Sequence, residues 1–183
     1  MTAGESIALQ VAEALDACGI PFLLSGSFAS NYYGIPRSTR DADFVLQAEH
    51  AVGPEFARHL GKDFALDPQL SFETRTGTMR QVLRHKQKAF EVELFLLSED
   101  AHDQARFERR RAVQLHRQRI WLPSAEDVVV TKLRWARGKD KDDVRDVMAV
   151  QRDKLDWGYI EHWCKEHGTL ALMKEIKESL PKQ

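Results

Sequence analysis

The sequence has little of what marks a secreted or membrane-embedded protein. Its 183 residues include two cysteines, Cys18 and Cys164, which are too few for a disulfide scaffold and are better suited to be free thiols in a reducing compartment. No apolar run approaches the roughly 18 residues that a spanning helix needs. The N-terminal segment Met-Thr-Ala-Gly-Glu-Ser also lacks the basic and apolar stretches of a secretion signal. These absences favour a cytoplasmic protein that does not act at a membrane.

A strong charge of one sign is also missing. The chain carries 27 basic and 28 acidic residues, for a net charge of −1, so no global field draws it to nucleic acid. Apolar residues make up 43% of the sequence, which is enough to form a core for one domain, or for one domain with a small appendage. No internal repeat and no low-complexity segment interrupts it.

Hydrophobic periodicity predicts an α/β (α+β) fold in two parts. A mixed sheet with flanking helices is expected over 1–122, and a helical bundle over 123–183. The first part is predicted to contain helices over 6–18, 28–34, 50–61 and 101–110, and strands over 22–25, 43–47, 71–76, 80–86 and 89–97, with one or two short edge strands in 112–122. The second part is predicted to contain helices over 124–137, 140–152, 156–167 and 169–180.

The most informative stretch runs from 24 to 46 and joins a Gly-Ser pair to two aspartates. Gly26 and Ser27 close an apolar strand, where their backbone N–H groups and the hydroxyl could bind a phosphate. Asp41 and Asp43 begin a second apolar strand and, being two residues apart, point to the same face. Two carboxylates on one face repel each other unless a cation lies between them. Mg²⁺ fits this position, because it prefers hard oxygen ligands and shares its shell with substrate phosphates.

These residues resemble the signature of the polymerase-beta-like minimal nucleotidyltransferases, in particular the small bacterial enzymes of the toxin–antitoxin and abortive-infection type. The motif positions are filled by Ser25-Gly26-Ser27 and by Asp41-Ala42-Asp43-Phe44, with Ser25 where an apolar residue is usual. The resemblance implies a nucleotidyltransferase-type sheet and a requirement for two Mg²⁺ ions, or Mn²⁺. It also implies ATP or another NTP as substrate, with NMP transferred to an acceptor hydroxyl and pyrophosphate released.

A third carboxylate is expected, because two aspartates provide too few ligands to fix two metal ions. The predicted strand 89–97 offers Glu91 and Glu93, both on one face. The string Val92-Glu93-Leu94-Phe95 fits the context of the third acid in the resembled family better, with Glu where Asp is commoner. Glu93 is therefore implied to complete the metal-binding and catalytic set with the two aspartates, and Glu91 stays the alternative.

Three basic or hydroxyl side chains are implied to bind the nucleotide. Arg37 and Thr39 fill fixed positions of the family string Arg-x-Thr-x-Asp-x-Asp, which places a guanidinium near the triphosphate. An ion pair of Arg37 with a local carboxylate is the alternative. Lys132 fills the lysine position of the string Pro-Ser-x-x-Asp-x-x-x-x-Lys-Leu over 123–133, which implies a phosphate contact.

Simpler interpretations exist for the later charged segments. Lys132 could instead pair with Asp127 or Glu126 on its own helix. The run 138–146 lacks the central glycine and the closing glutamate of a Ca²⁺ loop, so Asp140 or Asp142 is expected to cap the following helix.

The acceptor is left open by the sequence. The arginine-rich run 106–119 could face RNA, although a solvated face is the simpler interpretation. A tRNA end, a protein hydroxyl and a small molecule such as an antibiotic are the candidate acceptors, and a toxin-type enzyme would have a cognate antitoxin as partner. A cationic small molecule would require an acidic pocket, for which Glu91 is a candidate wall.

A protein with this fold could also have lost its catalytic activity and serve as a binding or regulatory module. The presence of three carboxylates argues against that alternative.

The late histidines do not indicate a metal site. His162 and His167 flank Cys164 in a predicted helix, where a structural role is favoured over zinc binding.

Overall fold

A computed structural model describes residues 1–74 and 76–180 of the chain. In this part of the protein, eight strands and eight α-helices follow one another, with one short 3₁₀ turn at Arg152–Lys154. Arg75, in the predicted strand 71–76, and residues 181–183, at the end of the predicted helical region, lie outside the described residues. The elements are α1 (Ala3–Ala17), β1 (Phe22–Leu24), α2 (Gly26–Tyr33), β2 (Asp41–Leu46), α3 (Pro54–Leu60), β3 (Phe64–Leu66), β4 (Ser71–Glu73), β5 (Thr78–His85), β6 (Glu91–Leu96), α4 (Ala101–Glu108), β7 (Arg111–Leu115), β8 (Gln118–Leu122), α5 (Ala125–Trp135), α6 (Gly138–Gln151), α7 (Trp157–Glu166) and α8 (Leu170–Glu178).

Six of these strands form one mixed sheet, which confirms the predicted fold class. The order is β1-β2-β6-β5-β3, and β4 lies beside β5. β2 and β6 are parallel and the other neighbours are antiparallel. The register opposes Asp41 to Glu91 and Asp43 to Glu93, so acids of adjacent strands stand side by side. Two strands, β7 and β8, occupy the segment where one or two short edge strands were predicted, but they form a separate hairpin and not an edge of the main sheet.

Three clusters of buried apolar residues hold the layers together. One face of the sheet, with Phe44 and Leu94, packs against α1 and α3. The opposite face packs against Phe107 of α4. A third cluster joins α5, α6, α7 and α8 to α2, with Val129 and Met148 fully buried. The helices after residue 122 thus share their core with α2, and the division into 1–122 and 123–183 stays a prediction.

Some helix and strand bounds differ from the predictions, because capping residues, glycine and proline fix where the helices begin and end. α2 begins at Gly26, with Ser25 rather than Ser27 at its N-cap. The predicted helix 50–61 shrinks to α3, because Gly53 precedes it, Pro54 occupies its first position and a glycine ends it. β3, at three residues, was not predicted and pairs at the sheet edge with β5.

Both cysteines are free, as predicted, with Cys164 buried. Among the helices of the described residues, none is both long and apolar enough to span a bilayer.

Candidate active site

The three acids implied by the sequence lie together at one cavity. Asp41 and Asp43 reach it from β2, and Glu93 reaches it from the neighbouring parallel strand β6. The cavity has a volume of about 250 Å³. Its lining consists of Ser27, Asp41, Asp43, Glu73, Thr76, Arg80, Glu93, Phe95, Lys132, Trp135, Arg137 and Lys139. The sheet therefore supplies an acidic wall, and the start of the helical region supplies a basic one.

The acidic wall carries repulsion between like charges. Burial, the charges of Asp41 and Glu93, and hydrogen bonding to Glu93 together raise the pKa of Asp43 to about 7. Lys132 opposes this rise, but its effect is the smallest of the five causes. A trio of hard oxygen ligands fits a divalent cation such as Mg²⁺, even though Glu93 is also paired with Arg80.

Gly26 is required where β1 passes into α2. The backbone N–H of Ser25 donates to the Asp43 carbonyl at 2.7 Å, which holds this corner against β2. Gly26 has a φ of 58°, and a Cβ atom there would lie 1.7 Å from Asp43 Oδ2. Only glycine allows the N-terminus of α2 to approach the carboxylate so closely. Ser27, the next residue, lines the cavity.

Thr39 and Arg37 lie behind the acidic wall rather than on its surface. The Thr39 hydroxyl donates to Asp41 Oδ1 at 2.5 Å and so orients that carboxylate. Arg37 pairs with Asp143 through Nε and Nη2, at 2.7 and 2.9 Å, and Nη2 also donates to Ser27 Oγ at 3.1 Å. The structure thus gives Arg37 an ion pair, but with a carboxylate distant in sequence rather than a local one.

Lys132 lines the cavity and is also held by two aspartates of α6. Its ammonium Nζ lies 2.7 Å from Asp143 Oδ2 and 3.2 Å from Asp140 Oδ1, and the side chain is 4% exposed. Its partners are therefore on α6, and not Asp127 or Glu126 on its own helix. Asp140 also accepts from the backbone N–H of Arg137 and so helps to cap α6 from its third position, while the N-cap residue itself is Arg137.

Asp143 contacts both Arg37 and Lys132, and its role was not predicted from the sequence. Burial would raise its pKa, but hydrogen bonds from Arg37 and Lys132 outweigh burial and lower the pKa to about 2. Ser30 Oγ also donates to it, at 3.2 Å. The available signal was the string Lys-Asp-x-x-Asp over 139–143, which the resembled family often carries.

Several lining residues carried no sequence signal. Arg80 of β5 forms an ion pair with Glu93. Arg137 has its guanidinium carbon 5.3 Å from the centre of the Trp135 ring. By contrast, Glu91 pairs with Arg84 at 2.9 Å and is absent from the described lining of the cavity.

The first three arginines of the run 106–119 are engaged within the protein. Arg106 is buried and pairs with Asp103 at 3.0 Å. Arg109 lies over the Tyr159 ring at 3.9 Å, and Arg110 lies over the Phe107 ring at 4.4 Å. These three side chains anchor α4 and its neighbours, whereas Arg111, Arg117 and Arg119 are exposed.

Comparisons with known proteins agree with this geometry. The model of the family DUF2204, nucleotidyl transferase of unknown function, matches residues 5–177. No curated protein matches the chain.

Solved structures share the fold at low sequence identity. The solution structure of the antibiotic-resistance factor ANT(2'')-Ia has a TM-score of 0.57 and 9% identity, covering 95% of this chain and 96% of that one. A crystal structure of ANT(2'')-Ia in complex with adenylyl-2''-tobramycin has a TM-score of 0.57 and 12% identity, covering 92% and 98%. A protein from H. pylori proposed to be a nucleotidyltransferase has a TM-score of 0.53 and 15% identity, covering 97% and 82%. The family match spans nearly the whole chain, which therefore belongs to the DUF2204 family of nucleotidyl transferases and is an enzyme of the nucleotidyltransferase class.

Proposed function

We propose that the cavity catalyses Mg²⁺-dependent transfer of an NMP from an NTP, with ATP as the first candidate, to an acceptor hydroxyl. One observation carries this proposal: the in-register acids Asp41, Asp43 and Glu93 face basic side chains of the helical region across the same cavity. The acids have the chemistry to hold metal ions, and the bases have the chemistry to hold phosphates.

The proposed reaction forms a bond between the acceptor oxygen and the α-phosphorus and breaks the bond to the pyrophosphate leaving group. Bound Mg²⁺ would supply activation of the hydroxyl and neutralisation of the phosphate charge, held by the three carboxylates. Thr39 keeps the Asp41 carboxylate oriented. Ser27, at the start of α2, is positioned to donate to a phosphate oxygen.

The basic wall would receive the triphosphate. Arg137 and Lys139 lie at the start of α6 and line the cavity opposite the acids. Lys132 is already neutralised by Asp140 and Asp143. Arg137 also pairs with Asp140 through two nitrogens, at 2.5 and 3.0 Å. Lys139 is exposed and has no ion pair among the described residues. We therefore assign direct phosphate binding first to Lys139, and a weaker contact to Arg137 and Lys132, whose charges are partly offset.

A second cavity, of about 820 Å³, lies beside Thr39 and is mostly apolar. Among its described lining residues, the one acidic side chain is Glu5, while Arg37 and Lys88 are basic. Glu91 does not line it among the described residues, so the acidic wall expected for a cationic acceptor is missing there.

Adenylylation of a small molecule is the second candidate. The structure of ANT(2'')-Ia with adenylyl-2''-tobramycin belongs to a protein of the same fold. An aminoglycoside therefore has a place among the acceptors to be tested. A toxin role is a further part of the proposal, since the resembled bacterial enzymes include toxins that are paired with antitoxins.

The test is a label-transfer assay with Mg²⁺ and each α-labelled NTP in turn. Total tRNA, total cell protein, an aminoglycoside or no acceptor is added. The double variant Asp41→Asn/Asp43→Asn removes two of the three acids of the wall, and Asp142→Asn, at an exposed acid of α6, is the matched control. Label on one acceptor class, kept in the control and lost in the double variant, is expected. Absence of both label and NTP binding in the wild type would overturn the proposal.

The toxin role has its own readout. Expression of the wild type is expected to arrest bacterial growth, and expression of the double variant is expected to leave growth unchanged. Normal growth with the active wild type would remove the toxin role and leave the transferase proposal intact.

A further inference from the structure

A second cluster of metal-ligating groups lies away from the carboxylate cavity, between α4 and α7. Asp100 is the N-cap of α4, His102 lies in its first turn, and His167 is the C-cap of α7. One ligand atom from each of these residues lies within 4.8 Å of the others. None of the three is among the described residues that line the carboxylate cavity.

His102 is held in the manner of a histidine that ligates a metal. Its side chain is 1% exposed, and its Nε2 lies 3.2 Å from Asp127 Oδ1. The Asp127 carboxylate also accepts from Tyr159 Oη and from Ser124 Oγ, each at 2.7 Å. A carboxylate that accepts from several donors fixes the imidazole proton on Nε2, so Nδ1 carries a lone pair. Such a carboxylate–histidine pair is the usual support of a metal-bound imidazole.

The lone pair on His102 Nδ1 has no partner in the protein as described. Nδ1 is buried and has no hydrogen-bond partner within residues 1–74 and 76–180. His167 Nδ1 is likewise buried without a partner in the same residues. The two rings face each other edge to face, with centroids 5.3 Å apart. Two buried imidazole nitrogens without partners are costly unless something binds them.

Asp100 adds a carboxylate oxygen as a third ligand, and Arg134 partly neutralises its charge. Its carboxylate accepts from Arg134 through both oxygens, at 3.1 and 2.9 Å. Oδ1 also accepts the backbone N–H groups of His102 and Asp103. Each carboxylate oxygen has two lone pairs, and Oδ2 accepts one hydrogen bond from the described residues, so it has room for a further contact. The acid is thus fixed in place and can still act as a ligand.

We propose that Asp100 and the imidazoles of His102 and His167 bind a divalent transition metal of the Zn²⁺ type. Two neutral imidazoles and one carboxylate suit Zn²⁺ and not Mg²⁺, which prefers oxygen ligands alone. Three protein ligands leave a fourth position for water or another ligand. The bound ion would tie α4, which follows the catalytic strand β6, to α7 of the helical region.

The test is Zn²⁺ titration by calorimetry, with Co²⁺ absorption as an optical reporter of the coordination. The Asp41→Asn/Asp43→Asn background keeps the ion from the catalytic acids. Binding of one Zn²⁺ per chain and a higher Tm are expected. His167→Gln and Asp100→Asn, which keeps the N-cap, are each expected to weaken binding by about tenfold or more.

The matched control is His162→Gln, at an exposed histidine of the same helix α7. It is expected to bind Zn²⁺ as the parent does. Equal affinity of the parent and His167→Gln would overturn the proposal, and so would the absence of Zn²⁺ binding by the parent. Because the readouts do not involve NMP transfer, the result is independent of the proposed reaction.

Discussion

Two groups of aspartates lie within the same part of the molecule and have opposite electrostatics. Asp43 shares its wall with Asp41 and Glu93, and its pKa is raised to about 7. Asp143 is contacted by Arg37 and Lys132, and its pKa is lowered to about 2. In the first group the acids face one another and, among the described residues, only Glu93 has an ion pair, with Arg80. In the second group Asp143 contacts two cations directly.

The difference separates a binding function from a structural one. Clustered acids destabilise the folded protein until a cation binds between them, so their arrangement favours metal binding. Acids neutralised by lysine and arginine within the protein contribute to the fold, and removal of one partner leaves a buried charge. Four variants or conditions test this distinction, from the largest expected effect to the smallest.

Asp43→Asn is expected to reduce NMP transfer by roughly 10³-fold, because the proposed role of Asp43 is to ligate the metal that stabilises developing charge. In EDTA its Tm is expected to equal or exceed that of the wild type, since the substitution also removes repulsion. Steady-state label transfer and thermal unfolding measure the two effects. A Tm well below that of the wild type would contradict the view that Asp43 is held there for binding rather than stability.

Glu93 and Glu91 provide a matched pair on β6. Glu93→Gln is expected to reduce transfer by roughly 10²-fold, because Glu93 lines the cavity. Glu91→Gln is expected to change it by less than about twofold, because Glu91 forms a half-exposed ion pair with Arg84. Equal losses in the two variants would show that the third acid is wrongly assigned.

Asp143→Asn is expected to lower the free energy of unfolding by roughly 3 kcal/mol, because it leaves the buried Lys132 with a broken ion pair. For a chain of this length, that corresponds to a fall in Tm of about 6–12 °C. Chemical denaturation compares it with Asp142→Asn, whose exposed parent pairs only with its helix neighbour Arg145 in the described residues. Equal free energies of unfolding for the two variants would contradict a structural role for Asp143.

The two groups are expected to respond to pH with opposite signs. Asp43 has a folded pKa above its ordinary value of 3.8, so the folded state holds more protons and, in EDTA, the free energy of unfolding falls as pH rises from about 4 to about 7. Asp143 has a lowered pKa, so its contribution is present above about pH 4 and is lost as pH falls toward about 2.

Denaturation in EDTA at several pH values measures both slopes. Asp43→Asn is expected to flatten the slope between about pH 4 and pH 7 and to leave the acid-side loss unchanged. If the free energy of unfolding of that variant still fell between about pH 4 and pH 7 as in the wild type, Asp43 would not be the source of the pH dependence.

Much of the fold was predictable because strands and helices carry local patterns. The strand β6 and the helix α5 were expected from apolar runs and from the cap at Ser124. The three-residue strand β3 has too few side chains to show a period, and its pairing with β5 depends on tertiary contacts.

The acids of the site were predictable because two of them share one motif and the third follows in an apolar strand. The network around Asp143 was not, because its partners come from elements far apart in sequence: Arg37, Ser30 and Lys132. Likewise, His102 and His167 are 65 residues apart in the sequence and come together only in the folded chain. The assigned roles of these residues remain predictions.

The most direct test of the account compares Tm in EDTA and in Mg²⁺ for the wild type, Asp41→Asn/Asp43→Asn and Asp143→Asn. Mg²⁺ is expected to raise the Tm of the wild type and of Asp143→Asn, while the double variant has the highest Tm in EDTA and does not respond to Mg²⁺. An equal response to Mg²⁺ in all three proteins would contradict the assignment of the metal to the acidic wall of the cavity.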